Sequence, residues 1–304
     1  MPGRFAVLIL LAIVGACAVA PRTPAPVPPE RVWAPADPPR AVLVALHGFG
    51  DHKDAFAALG LWLAARGYRF VAFDQPGFGE QPDRLFWPGT ETLVATARAV
   101  LARERAQLPD RPLFLLGESM GAAVALLVAT DPDAPPLDGL VLVAPAVWGG
   151  EALPGLFRAA AKALAAILPW LRLSGRGLPV QPAEDPEVVR ALARDPLHIG
   201  EPRADAVAGL VALMDAARAT GPRLRTPVLM VVPGRDSIVP TRVQLSFAPT
   251  IASERCLLLV YPRARHLILR DRGREEVFED LRAWLEGGAI ASERARDCRE
   301  AEPR

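Results

Sequence analysis

Lysine is almost missing from this chain of 304 residues: Lys53 and Lys162 are the only two, and arginine carries the remaining basic charge. Basic and acidic side chains nearly cancel, 35 against 34, so no excess of one sign points to nucleic acid as a partner. Three cysteines exclude a disulfide-stapled scaffold, and no Cys/His spacing matches a zinc site. Histidine is equally scarce. Any imidazole-dependent chemistry falls on His47, His52, His198 or His266. What remains is a globular composition, 51% apolar and 23% charged, with an unusual 32 prolines.

Part of that proline excess sits near the amino terminus. Arg4 precedes a ten-residue apolar run, Phe5 to Val14, half the roughly 20 residues needed to cross a bilayer but suited to a signal peptide. Val14-Gly15-Ala16-Cys17 follows and resembles the lipobox of bacterial lipoproteins. That resemblance implies a signal peptide over residues 1–16, lipidation of Cys17, and a protein anchored in the bacterial cell envelope by its acyl chains. Ala18, in place of the aspartate that retains many lipoproteins at the inner membrane, favours the outer membrane. Cleavage after Ala18-Val19-Ala20, giving a periplasmic or secreted protein, is the alternative. Eight prolines between positions 21 and 39 read residues 17–40 as an extended linker without helix or sheet, so the first folded element is expected after Arg40.

From there the pattern alternates. Ala41–Leu46, Arg69–Phe73, Leu113–Leu116, Leu140–Val143, Pro227–Val232 and Cys256–Val260 are short unbroken aliphatic runs, as strands buried on both faces require. Helix-like stretches over Ala55–Arg66, Thr92–Gln107, Met120–Ala129 and Arg274–Glu286 lie between or after them. The fold class is α/β, a mostly parallel sheet flanked by helices, over residues 41–288. Residues 148–222 break the rhythm and read as an inserted helical cap. The tail, 289–304, is half charged and reads as disordered. Cys256 reads as a buried strand residue and Cys298 as an exposed tail thiol, with a disulfide between them the alternative in an oxidising compartment.

Polar motifs follow the strand ends, where such folds place their sites. Gly117-Glu118-Ser119-Met120-Gly121 fits G-x-S-x-G between a strand and a helix, the nucleophile elbow. Its glycines permit strand and helix to approach closely, and the helix start adds positive potential beside a developing oxyanion. Ser119 needs a base, and His266 alone lies downstream of a plausible acid, Asp236 in Gly234-Arg-Asp236. The order Ser119, Asp236, His266 is the one this fold uses. Asp195, Asp205 and Asp215 are rival acids placed in the cap. Oxyanion donors are expected from the backbone of Met120 and of Phe49 in His47-Gly-Phe-Gly50, with His47 ordering that loop. Glu118 reads either as a buried support of the elbow or as a tolerated turn residue.

These segments, with Asp74-Gln-Pro-Gly-Phe-Gly79, resemble the monoacylglycerol lipase/lysophospholipase branch of the α/β-hydrolases over roughly Ala41 to Glu286. The same grouping includes serine aminopeptidase-like members. The resemblance implies an α/β-hydrolase fold and hydrolysis of monoacylglycerols, lysophospholipids or other carboxylic esters, without metal or organic cofactor. A peptidase or amidase using the same triad is the alternative. It needs a site for the substrate amine, for which the cap offers Glu184, Asp185 and Glu187. Cap residues Leu156, Phe157, Ala160, Leu164, Ile167, Leu168 and Leu171 either line an acyl channel or bury the cap against the core.

Overall fold

The computed structural model describes residues 27–149, 155–175, 177, 180–288, 290 and 293–301. The expected signal peptide and Cys17 lie outside them. Eight strands form one sheet: β1 (Glu30–Trp33), β2 (Val42–Leu46), β3 (Arg69–Phe73), β4 (Leu113–Glu118), β5 (Gly139–Val143), β6 (Val228–Pro233), β7 (Cys256–Tyr261) and β8 (Ala295–Asp297). Their order across the sheet is β1-β3-β2-β4-β5-β6-β7-β8. The six central strands, β2 to β7, are parallel, and the two edge strands run antiparallel. β2, β4, β5 and β6 are buried at every position, which explains why their sequences are aliphatic without alternation.

Helices α1 (Ala57–Ala64), α2 (Thr90–Gln107), α3 (Met120–Ala129), α7 (Thr241–Phe247) and α8 (Arg274–Leu285) accompany the sheet. Two apolar cores result, one on each face. α2 and α3 bury Leu93, Leu101 and Leu126 on one side, while α1 and α8 bury Leu59, Phe278 and Leu281 on the other. Each such side chain withdrawn from water contributes about 1.5–3 kcal/mol before entropy is counted. Between β5 and β6 the cap carries α4 (Gly155–Ile167), α5 (Pro186–Arg194) and α6 (Ala204–Arg218). No helix among the described residues is long and apolar enough to cross a membrane.

Both ends of the folded region correct the sequence reading. The linker expected to lack sheet contributes β1, which pairs with β3 from Glu30↔Phe73 to Trp33↔Phe70. Prolines flank this window but do not enter it, and an edge strand needs hydrogen bonds on one side only. Trp33 anchors it, 6% exposed, with its ring 5.8 Å from that of Phe70. At the other end, the tail expected to be disordered forms β8 against β7, from Leu257↔Asp297 to Leu259↔Ala295. Cys298, expected to be an exposed thiol, is fully buried and joined to Cys256 in a disulfide with Cα atoms 5.4 Å apart.

The disulfide closes a loop of 42 residues, worth about 3–4 kcal/mol on the chain-entropy account. Dithiothreitol is therefore expected to lower the urea midpoint of the wild-type protein and to leave that of Cys298→Ser, already lowered, unmoved. A wild-type midpoint indifferent to reductant would contradict the pairing.

Candidate active site

Because β2 to β7 are parallel, the residues that follow them emerge along one edge of the sheet. Ser119 lies between the last residue of β4 and the first of α3, with φ +53° and ψ −114°, in the left-handed region that side chains rarely adopt. Two glycines make the turn possible. A Cβ on Gly117 would stand 2.4 Å from the Gly121 carbonyl oxygen, and one on Gly121 only 2.0 Å from that of Leu46. Any larger residue would push α3 off the sheet. The Ser119 amide donates to the Val143 carbonyl at 2.9 Å, tying the turn to β5.

His266 follows β7 and Asp236 follows β6, and the two side chains meet. His266 Nδ1 donates to Asp236 Oδ2 at 2.7 Å, with both side chains buried. Asp236 is held from several sides. Its Oδ1 accepts the amides of Ile238 (2.8 Å) and Val239 (3.0 Å), and its Oδ2 also accepts Gln244 Nε2 at 2.8 Å. Gln244, on α7, was not singled out from the sequence. Since Nδ1 carries the proton, Nε2 of His266 is left as the basic nitrogen.

Ser119 and His266 line the same cavity, about 660 Å³ in volume, together with Phe49. Met120 is the first residue of α3, so its amide is among those without a partner inside the helix. The loop carrying Phe49 passes against the serine: a Cβ on Gly48 would stand 3.5 Å from Ser119 Cβ. His47 orders this loop. Its Nδ1 donates to the Gly48 carbonyl at 2.8 Å, and its Nε2 accepts the Gln75 amide at 3.0 Å. Complete burial pushes its pKa below the ordinary histidine value, so it stays neutral in this arrangement. Asp74 braces the adjoining turn. Fully buried, it accepts the Lys53 amide (2.8 Å), Lys53 Nζ (3.0 Å) and the Glu80 amide (2.8 Å).

The rival acids are engaged elsewhere. Asp195 binds His52 Nε2 at 2.7 Å, Asp205 binds Arg203, and Asp215 pairs with Arg158 at 3.5 Å. Of the seven apolar cap residues expected to line a channel or bury the cap, only Phe157 lines the cavity, and Leu156, Ile167, Leu168 and Leu171 are exposed. α6 contributes Val207, Leu210, Val211 and Met214 to the apolar wall. Those positions fall at i, i+3, i+4 and i+7, a helical stripe that periodicity alone makes visible.

A second group of charged residues sits beside the serine. Arg270 Nη2 donates to Asp51 Oδ2 at 2.5 Å and lies 3.8 Å from Glu118 Oε2. Burial raises the Glu118 carboxyl above the usual range, against the opposing pull of Arg270. Burial acts the same way on Asp51, but Arg270, His47 and the His52 amide together hold that carboxyl below its ordinary value. A native carboxyl with a raised pKa contributes its full stability below about pH 4.5, its ordinary value, and loses it as pH climbs through the native one. Glu118→Gln removes that titration. The stability of Glu118→Gln relative to wild type should therefore be greater at pH 8 than at pH 4 in thermal denaturation; a constant difference would contradict the assignment.

Comparison with known proteins agrees with this geometry. The chain is 26% identical over 262 residues to the monoacylglycerol lipase of Mycolicibacterium smegmatis, covering 84% of this chain and 91% of that one. It is also 26% identical to phospholipase YtpA of Bacillus subtilis, covering 83% and 97%. Its fold superposes on the crystal structure of the Paleococcus ferrophilus monoacylglycerol lipase with a TM-score of 0.72 and 25% identity, covering 86% and 98%. Residues 37–273 match the family model described as serine aminopeptidase, S33, and the chain belongs to that family of α/β-hydrolases.

Proposed function

We propose that the protein is a serine hydrolase of carboxylic esters, acting on single-chain lipid esters of the monoacylglycerol or lysophospholipid type. The observation that carries the reading is a strained serine and an Asp-paired histidine lining one apolar cavity. Relatives named as monoacylglycerol lipase and phospholipase support the lipid character of the substrate.

Ser119 Oγ attacks the ester carbonyl carbon while His266 Nε2 takes its proton. Asp236 keeps the imidazole in the Nδ1–H tautomer and stabilises the imidazolium that forms. The oxyanion of the tetrahedral intermediate accepts hydrogen bonds from the amide of Met120 at the start of α3 and from that of Phe49 in the loop after β2. Collapse breaks the bond to the alcohol oxygen, which receives the proton from His266 and departs, leaving an acyl-serine. Water then attacks the acyl carbon, its proton going to His266, and the acid is released with Ser119 restored. The apolar wall from α6 suits the acyl chain.

The cap residues that the peptidase alternative relies on are not placed at the site. Glu184, Asp185 and Glu187 do not line the cavity. The amides of Glu184 and Asp185 are bound to Asp271, Asp185 caps α5, and Glu187 pairs with Arg190.

The lipobox supports placing this chemistry at a membrane, with Cys17 lipidated and the enzyme held at the outer membrane of a bacterial envelope. Cys17→Ser should shift the protein from the membrane to the soluble fraction; an unchanged distribution would refute lipidation.

Ser119→Ala is expected to abolish turnover of nitrophenyl esters and labelling by a fluorophosphonate, with the fold intact by circular dichroism. Asp236→Asn should lower kcat by about 10⁴, as loss of the tautomer-setting acid does in other triads. Wild-type protein that is folded yet neither labelled nor active on esters would overturn the reading.

A further inference from the structure

Gln244, on α7, is a long polar side chain with no exposure to solvent. Its amide nitrogen donates twice, to Asp236 Oδ2 at 2.8 Å and to the Val239 carbonyl at 2.7 Å. Both partners are acceptors only, so the orientation of the amide is fixed: the reverse would set its oxygen against two others. Gln244 Oε1 is buried and finds no partner among the described residues. Such an orphan is costly, and a side chain kept here only to fill space would be apolar.

The same helix holds the loop that carries the acid. Thr241, one turn before Gln244 on the same face of α7, accepts the Asp236 amide at 3.3 Å and donates to the Pro233 carbonyl at 2.7 Å. The two side chains divide the contact: Thr241 takes the backbone of Asp236, and Gln244 its carboxylate. Asp236 Oδ1 is occupied by the Ile238 and Val239 amides. Oδ2 is the oxygen that faces the base, and it is shared between Gln244 Nε2 at 2.8 Å and His266 Nδ1 at 2.7 Å.

Sharing has a chemical consequence. An N–H turned toward a carboxylate oxygen stabilises its negative charge. When His266 takes the serine proton, Asp236 must stabilise the imidazolium with the charge that remains. A second donor on Oδ2 weakens that attraction, so Ser119 keeps its base at lower pH. The other ionisable groups that share the cavity with His266 are Glu118 at the end of β4, Asp51 in the loop after β2, His198 in the cap and Arg270 in the turn after β7. The Gln244 amide bonds to none of them, so its replacement leaves their contacts in place.

We infer that Gln244 is a positioning residue that acts through Asp236: it fixes Oδ2 opposite His266 and moderates its charge, extending activity toward low pH. The inference rests on the ester-hydrolase reading and deepens it by adding Gln244 to the side chains that govern the base.

The test measures the second-order rate of Ser119 labelling by a fluorophosphonate on the full chain, between about pH 4 and pH 9. Labelling needs the serine and its base but no ester, so the profile reports the pair without substrate binding. Gln244→Met, of similar length but without a donor, should raise the pH of half-maximal rate by about 0.5 unit or more. Thr241→Val loosens the same loop without touching the carboxylate and should leave that midpoint in place. Circular dichroism verifies folding, and Gln244→Leu decides if Gln244→Met does not fold. A Gln244 variant that labels more slowly at every pH with an unmoved midpoint has lost only a structural tie, which would overturn the proposal. An equal shift in Thr241→Val would overturn it as well, because the loop and not the hydrogen bond would then set the profile. Folded wild type that is not labelled at any pH would instead remove the hydrolase reading and this inference with it.

Discussion

The site depends on how closely α3 lies against the sheet. Gly121 sits so near the Leu46 carbonyl, and Gly117 so near the first turn of α3, that neither position has room for a Cβ. This contact forces the chain to reverse within one residue, and that residue is Ser119, held at a positive φ by the strand before it and the helix after it. The strain is local, but the support is distributed. β2 to β5 are buried at nearly every position, and their packing holds the turn in a conformation that the isolated segment would not keep.

Side chains around the serine form two hydrogen-bonded systems. Asp236 and His266 form one, in which every carboxylate oxygen accepts at least two hydrogen bonds, so the imidazole has a fixed orientation and tautomer. Asp51, Arg270 and Glu118 form the other, which is incompletely satisfied. A saturated network suits a base that must point one way through a reaction.

The cap couples to both. Ile199 donates its amide to the Gly50 carbonyl at 2.8 Å, and Asp195 binds His52 at 2.7 Å, so the loop carrying Phe49 and the cap are hydrogen-bonded to each other. α6 supplies part of the apolar wall, while α4 buries none of its residues and leaves Leu156 and Ile167 exposed. Nothing in the composition of α4 distinguished it from a channel-lining helix. Its apolar stripe told which residues share a face and was silent on whether that face meets the cavity, the core or the surface.

The amino-acid sequence by itself determined the six parallel strands and the order of Ser119, Asp236 and His266. Strands covered on both faces must be aliphatic throughout, and parallel strands deliver whatever follows them to one edge. Those constraints are local enough to read residue by residue. The tertiary structure decided the rest. β1 and β8 are too short to show a pattern and exist because distant partners, β3 and β7, have an edge to offer. The Cys256–Cys298 pair forms because β8 brings Cys298 beside β7. The grouping of Glu118, Arg270 and His198 around one cavity joins residues 118, 198 and 270, a proximity that only the packing of cap on sheet creates.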